Sequence, residues 1–156
     1  MNTDGIIIEK MKAETAAMAA QLEKICFSSP WSEEALLEEL ENPDAYFVAA
    51  VNGEGQLLGY GGMHTPCGEC YVDNIAVSPE WRRQGIGERI LENLEEKAAQ
   101  LGTFISLEVR PSNVGAVSLY EKRGFQRIGE RKNFYSDPTE NGLIMTKYFG
   151  KEEDKC

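Results

Sequence analysis

The spacing of apolar and polar positions changes several times along this chain, and each change marks an element. Ile6-Ile7-Ile8, between Gly5 and Met11, is an apolar run of strand length. Between Lys12 and Ile25 the residues Ala16, Ala19, Ala20 and Leu22 recur at helical spacing, until Ser28-Ser29-Pro30 breaks the pattern. Ser32 before Glu33 and Glu34 predicts an N-cap and an acidic first turn that complements the helix dipole, with Leu36, Leu37 and Leu40 as the buried stripe. Residues 45–51 and 56–65 read as strands joined by the hairpin loop Asn52-Gly53-Glu54-Gly55. Gly59, Gly61 and Gly62 in the second of them permit close backbone approach. A third strand ends at Ile75-Ala76-Val77, where Pro79, without an N–H, stops the ladder.

Helical spacing returns with Ile86, Ile90, Leu91, Leu94, Ala98 and Leu101, and Gly102 closes that helix. Residues 104–110 alternate, with Ile105, Leu107 and Val109 on one face and Ser106, Glu108 and Arg110 on the other. Asn113 is placed to cap a short helix through Tyr120 to Arg123, closed by Gly124. Residues 126–135 and 143–148 read as a last antiparallel pair around a polar loop. The pattern predicts one α/β (α+β) domain over residues 1–150, with a mixed, mostly antiparallel sheet and flanking helices, and a charged tail at 151–156.

Composition narrows the class. A chain of 156 residues fits one domain with a substantial core. No apolar run approaches bilayer length, and the start Met-Asn-Thr-Asp-Gly lacks the basic region and apolar core of a secretory signal, so a cytoplasmic location without membrane contact is expected. The formal net charge of −10 argues against a general nucleic-acid binder and is compatible with a cationic substrate or partner. Of the four cysteines, Cys67 and Cys70 form a lone Cys-x-x-Cys with His64 just before it. Zinc would need a fourth ligand, and a redox pair would open a helix after a strand; Pro66 and Gly68 indicate a hairpin turn instead. No metal is assigned.

The candidate chemistry centres on Arg82-Arg83-Gln84-Gly85-Ile86-Gly87, between strand and helix. Unpaired N–H groups at a helix start, the positive end of its dipole and two arginines suit a phosphate or pyrophosphate, although a plain strand-to-helix turn reads the same way. No Gly-Lys-Ser/Thr follows, so this is not a Walker loop, and Ile90 stands where a dinucleotide fingerprint has its third glycine.

Arg82-x-x-Gly85-x-Gly87 after a strand resembles the acyl-CoA loop of the GCN5-related N-acetyltransferase (GNAT) superfamily. Cys26-Phe27-Ser28-Ser29-Pro30-Trp31-Ser32, Asn74-Ile75-Ala76-Val77, residues 107–113, Leu119-Tyr120-Glu121-Lys122-Arg123-Gly124-Phe125 and residues 131–135 extend the likeness over about residues 6–148. The resemblance implies the GNAT fold, acetyl-CoA as cosubstrate and direct transfer to an amine in a ternary complex. It implies that strands four and five part to admit the pantetheine arm, which the backbone of Ile75, Ala76 and Val77 would bind. Arg83, Gln84, Gly85, Ile86, Gly87 and Glu88 would hold the pyrophosphate, and Asn113 would contact the cofactor. The general base falls on Glu108 and the general acid on Tyr120. Read without the resemblance, Glu108 is a solvated strand residue paired with Arg110, and Tyr120 a core aromatic.

Trp31, Phe134 and Tyr135 are candidates for the acceptor pocket or for simple packing, and Cys26 for packing. The same strings are similar to the branch of the superfamily that acetylates the N-terminal alanine of a small-subunit ribosomal protein, which implies a ribosomal protein N-terminus as partner. The alternatives are another protein N-terminus, a lysine or a small amine as acceptor, and a non-catalytic acyl-CoA-binding regulatory module.

Overall fold

The computed structural model describes residues 5–149, so the tail expected at 151–156 lies outside the described residues. The strands are β1 (Ile7–Lys10), β2 (Ala45–Val51), β3 (Leu57–His64), β4 (Cys70–Val77), β5 (Phe104–Val109), β6 (Gln126–Tyr135) and β7 (Glu140–Tyr148). The helices are α1 (Ala13–Cys26), α2 (Glu33–Leu40), α3 (Ile86–Leu101) and α4 (Val114–Lys122). The seven strands form one sheet in the order β1-β2-β3-β4-β5-β7-β6. Every pairing is antiparallel except that of β4 with β5, so the sheet is mixed and mostly antiparallel, as expected.

The caps explain where the helices begin and end. Ser32 Oγ accepts from the Ala35 N–H at 3.1 Å, and Asn113 Oδ1 accepts from the Ala116 N–H at 3.2 Å. Gly102 closes α3 with φ 79°. The apolar stripe of α3, from Ile86 through Ala98, packs on one face of the sheet against Leu58, Met63, Ile105 and Met145. Ala16, Ala19 and Leu22 of α1, with Leu36 of α2, cover the other face against Phe47, Tyr60 and Ala76. The glycines of β3 make this double cover possible. A Cβ on Gly61 would stand 2.5 Å from Ile90 Cγ2, and one on Gly62 would stand 2.3 Å from the Phe47 ring.

On the polar face of β5, Ser106 is buried, and its Oγ lies 2.8 Å from Thr146 Oγ1 on β7. One local expectation is corrected. Strand β7 starts at Glu140, inside the expected loop, because its carboxylate accepts from the Ser112 N–H and hydroxyl, both at 2.8 Å. Polar contacts thus extend a strand whose first residues lack apolar alternation.

The feature that positions the site is an incomplete ladder. β4 and β5 pair only at Cys70↔Ile105 and Tyr71↔Ser106, and beyond Tyr71 they part. Away from that short zipper, ion pairs hold the two sides together. Arg123, at the end of α4, donates from Nε to Glu95 at 2.6 Å and from a terminal nitrogen to Glu88 at 3.0 Å, both on α3. Lys147 of β7 reaches the other Glu95 oxygen at 2.5 Å.

Candidate active site

Where β4 and β5 part, a cavity of about 760 Å³ opens between them. Ile75, Glu108, Asn113 and Tyr120 line it, and so do Trp31, Phe134 and Tyr135. Residues from both ends of the chain therefore meet at one opening in the sheet.

Backbone direction along β4 follows from the register. Val77 lies opposite Gly59, and the Ser78 N–H donates to the Leu58 carbonyl at 2.8 Å. That bond marks Val77/Gly59 as a non-hydrogen-bonded pair, so Val77 and, two residues back, Ile75 turn their N–H and C=O away from β3 toward the gap. Ala76 does the opposite and spends its backbone groups on Tyr60 of β3. The expected cofactor contact from Ala76 is corrected accordingly: its main chain belongs to the sheet and its side chain to the core. The Val77 carbonyl accepts from Arg82 Nε at 3.1 Å, and a terminal nitrogen of Arg82 lies 3.4 Å from Cys26 Sγ.

The glycine loop follows directly. Arg83 has φ 65° and Gly85 has φ 79°, and α3 begins at Ile86, the first residue of the apolar spacing, with Gly85 as N-cap. Two left-handed residues separated by one position suit a loop that presents N–H groups to an anion, and the dipole of a helix of sixteen residues stands behind it. The contribution of Ile86 and Glu88 is confined to the main chain, because the Ile86 side chain is buried and the Glu88 carboxylate pairs with Arg123. A Cβ built on Gly87 would touch Val77 Cγ2 at 3.6 Å, which places the first turn of α3 beside the end of β4.

On the facing wall, Glu108 accepts from Arg131 Nε of β6 at 2.7 Å, so its ionic partner is Arg131 and not Arg110. Arg110 instead stacks on the Tyr135 ring, 4.5 Å from its centroid, and donates to the carbonyls of Ser136 and Pro138 at 3.0 and 2.8 Å. Tyr120 projects from α4 and packs against Phe125 at 5.7 Å. Burial raises the Tyr120 phenol above its ordinary range, so it enters the cavity protonated at neutral pH. Burial also pushes Tyr135 up to about 12, with Glu108 adding to the rise. Phe134 and Tyr135 meet edge to face at 4.9 Å beside the opening.

Several residues of this region escaped the sequence reading. Glu23 is fully buried beneath the cavity, where Tyr60 and Asn74 donate to one carboxylate oxygen at 2.5 and 2.9 Å and the Trp31 N–H donates to the other at 2.8 Å. Asp73 lines the cavity from β4 and is bonded to His64. The one available signal for Glu23 was a charge among the alanines of α1; for Asp73 there was none. Cys67 is exposed and Cys70 buried, and among the described residues no group of three or more His, Cys, Asp or Glu is arranged to hold a metal. Among the described residues no helix is long and apolar enough to cross a membrane.

The parted β4–β5 pair, the outward-turned backbone beside it and the glycine loop that opens α3 are the arrangement the resemblance to acyl-CoA-dependent acetyltransferases implied. The family profile described as Acetyltransferase (GNAT) family matches residues 16–125, and the chain belongs to that family. Among curated relatives, a protein of Bacillus subtilis provisionally named [ribosomal protein bS18]-alanine N-acetyltransferase is 38% identical over 143 residues, covering 88% of this chain and 92% of its own. N-alpha-acetyltransferase RimI of Mycobacterium tuberculosis is 36% identical over 140 residues, covering 86% of this chain and 87% of its own. The crystal structure of the ribosomal-protein-S18-alanine N-acetyltransferase from Escherichia coli superposes with a TM-score of 0.85 at 27% identity, over 97% of this chain and 98% of that one. Other neighbours of the same fold were solved with acetyl-CoA or coenzyme A bound.

Proposed function

We infer that this chain transfers the acetyl group of acetyl-CoA to the N-terminal alanine amine of a small-subunit ribosomal protein. The observation that carries the reading is the convergence of Glu108 and Tyr120 on the cavity beside the outward-turned backbone of Ile75 and Val77. The names of the Bacillus subtilis relative, 38% identical, and of the Escherichia coli structure supply the alanine of the ribosomal protein, and the name of the Mycobacterium tuberculosis relative supports an N-terminal amine.

The residues fit an acyl-CoA thioester. Ile75 and Val77 offer N–H and C=O groups to the amides of an extended pantetheine arm, as an added strand would use them. The N–H groups of residues 83–88 and the α3 dipole suit a pyrophosphate. Asn113 caps α4 through its Oδ1, which helps fix Tyr120 beside the gap, and it lines the cavity, where its side-chain NH2 can donate to the cosubstrate.

An α-amine has a free pKa of about 8 and must lose a proton before it attacks. Glu108 accepts that proton, directly or through a water, while Arg131 holds the carboxylate in place. As the thioester C–S bond breaks, the protonated Tyr120 phenol donates its proton to the departing sulfur. Bringing both substrates to one cleft makes the attack effectively unimolecular, and no covalent enzyme intermediate is required. Trp31, Phe134 and Tyr135 form the mouth that the acceptor's first residues would cross.

The test is mass spectrometry after incubation with acetyl-CoA and two peptides, one with the free alanine terminus of the ribosomal substrate and one with a blocked terminus and its lysines intact. Acetyl on the free terminus alone is the expected result. Acetyl on lysine would overturn the acceptor, and coenzyme A binding with no product would overturn the enzymatic reading. Glu108→Gln should lower kcat by about 10²-fold or more at neutral pH with unchanged acetyl-CoA affinity. Tyr120→Phe should also lower kcat, and unaltered rates in both variants would remove these roles.

A further inference from the structure

Asp73 is the extra residue of a bulge in β4: Val72 lies opposite Met63 and Asn74 opposite Gly62, with no place for Asp73 across β3. Bulges re-aim side chains, and this one puts the Asp73 carboxylate on the cavity wall. Its Oδ2 lies 2.5 Å from Nδ1 of His64, the only histidine of the chain. Nε2 of the same ring is bonded to the carboxylate of Glu39 on α2. Both ring nitrogens therefore face carboxylates.

A neutral imidazole has a single N–H, so one of those contacts must set a lone pair against a carboxylate oxygen. One added proton turns both into charge-assisted hydrogen bonds. The cluster is arranged to take up a proton, and it opens onto the cavity through Asp73. Burial pushes Asp73 up to about 6, opposed by His64 and reinforced by Glu39 and Glu108. The titratable groups that face it are His64 and Tyr60 of β3, Glu39 of α2 and Glu108 of β5.

We propose that Asp73, backed by His64 and Glu39, is a second acceptor for the proton that the substrate ammonium must release, and shares that task with Glu108. The proposal rests on the acetyltransferase reading above. In the step, an N–H bond of R–NH3+ breaks, the proton passes to the Asp73 carboxylate and on to Nδ1 of neutral His64, and R–NH2 keeps the electron pair. The Nε2–H stays on Glu39, so the cluster passes from two negative charges to one and nothing is oxidised or reduced. The part-exposed edge of the imidazole returns the proton to water. Asp73 meets the amine, and His64 and Glu39 are positioning residues.

The test compares pH profiles of kcat for the full chain and for His64→Gln, with acetyl-CoA and the alanine-terminated peptide. His64→Gln should lose about 10-fold at about pH 6.5 and recover to within about twofold near pH 9, where a free α-amine is mostly neutral, with acetyl-CoA affinity unchanged throughout. A profile identical to wild type, or lowered equally at every pH as for mere loss of structure, would overturn the proposal. If the wild-type chain acetylates no N-terminus, the functional reading fails first and the cluster is read separately. The 15N signals of the lone imidazole are then followed against pH in wild type and in Asp73→Asn: a displaced curve supports the coupling, and superposed curves overturn it.

Discussion

Replacing Glu23 by alanine tests how much of the site is held from below. Glu23 is 0% exposed, and three donors converge on its carboxylate: the Tyr60 hydroxyl, the Asn74 amide and the Trp31 N–H. One side chain of α1 thereby fixes β3, β4 and the segment entering α2, and Asn74 and Trp31 both line the cavity. Hydrogen bonds to a charged group contribute about 1.5–3 kcal/mol each, and a buried donor left without a partner costs about 1–3 kcal/mol. The Tyr60 hydroxyl has no water to turn to, since that residue is also 0% exposed. Release of the carboxylate's own desolvation offsets part of the loss, and a net destabilisation of about 3–5 kcal/mol remains, the range for removing one partner from a buried charged cluster. At about 2–4 °C per kcal/mol for a domain of this size, Tm should fall by about 6–20 °C. Glu23→Gln keeps the volume and one acceptor oxygen but presents an NH2 to donors, and should lose about 1–2 kcal/mol. Urea titration followed by circular dichroism and tryptophan fluorescence measures both variants. An alanine variant that loses under about 1 kcal/mol, or no more than the glutamine variant, would refute this account of the cluster.

Further outcomes follow from other positions. Gly62→Ala should cost about 1–3 kcal/mol by calorimetry, because its Cβ would enter the Phe47 ring at 2.3 Å; an unchanged Tm would contradict the packing described. Gly85→Val meets no atom within 4 Å, so its cost of about 1–2 kcal/mol comes from the left-handed backbone at φ 79°. It should also weaken acetyl-CoA binding in titration calorimetry, and unaltered affinity would separate the loop from the pyrophosphate. Asp73 sets a pH dependence of stability. Its carboxyl titrates at about 6 in the fold against about 3.9 when unfolded, so the folded state binds more protons between those values and stability falls as pH rises through the interval. Asp73→Asn should therefore gain about 1–3 kcal/mol at pH 8 relative to pH 4, and a parallel offset at both pH values would refute the assignment.

Period and punctuation in the sequence were enough for the element order. The stripe of Ile86, Ile90, Leu91 and Leu94 is the core face of α3, and Ser32 and Asn113 cap where their side chains allow. Glu140 shows the limit: its strand is anchored by Ser112, a partner distant in sequence and invisible to any local pattern. The site divides the same way. The turn at Gly85 and Gly87 could be read locally, because the helix start it announces at Ile86 is there, and its anion chemistry is proposed from that start. Glu108 and Tyr120 needed the likeness to a family, since a charge on a strand and an aromatic on a helix have ordinary explanations. Asp73 was missed because a bulge changes which side a residue faces, and alternation offers no sign of it. Glu23 was missed because its three partners lie on different elements.

The short zipper between β4 and β5 also ties the lifetime of the protein to its surroundings. With only Cys70↔Ile105 and Tyr71↔Ser106 paired, the folded chain leaves main-chain groups at the sheet's centre to whatever occupies the gap. A ligand that binds only the folded form stabilises it by RT ln(1 + [L]/Kd), about 2.7 kcal/mol when its free concentration is a hundredfold above Kd. That is a sizeable fraction of a typical domain's stability of about 5–15 kcal/mol. Resistance to proteolysis should accordingly rise and fall with the supply of coenzyme A and its thioesters together, because the pantetheine arm that would fill the gap is common to both.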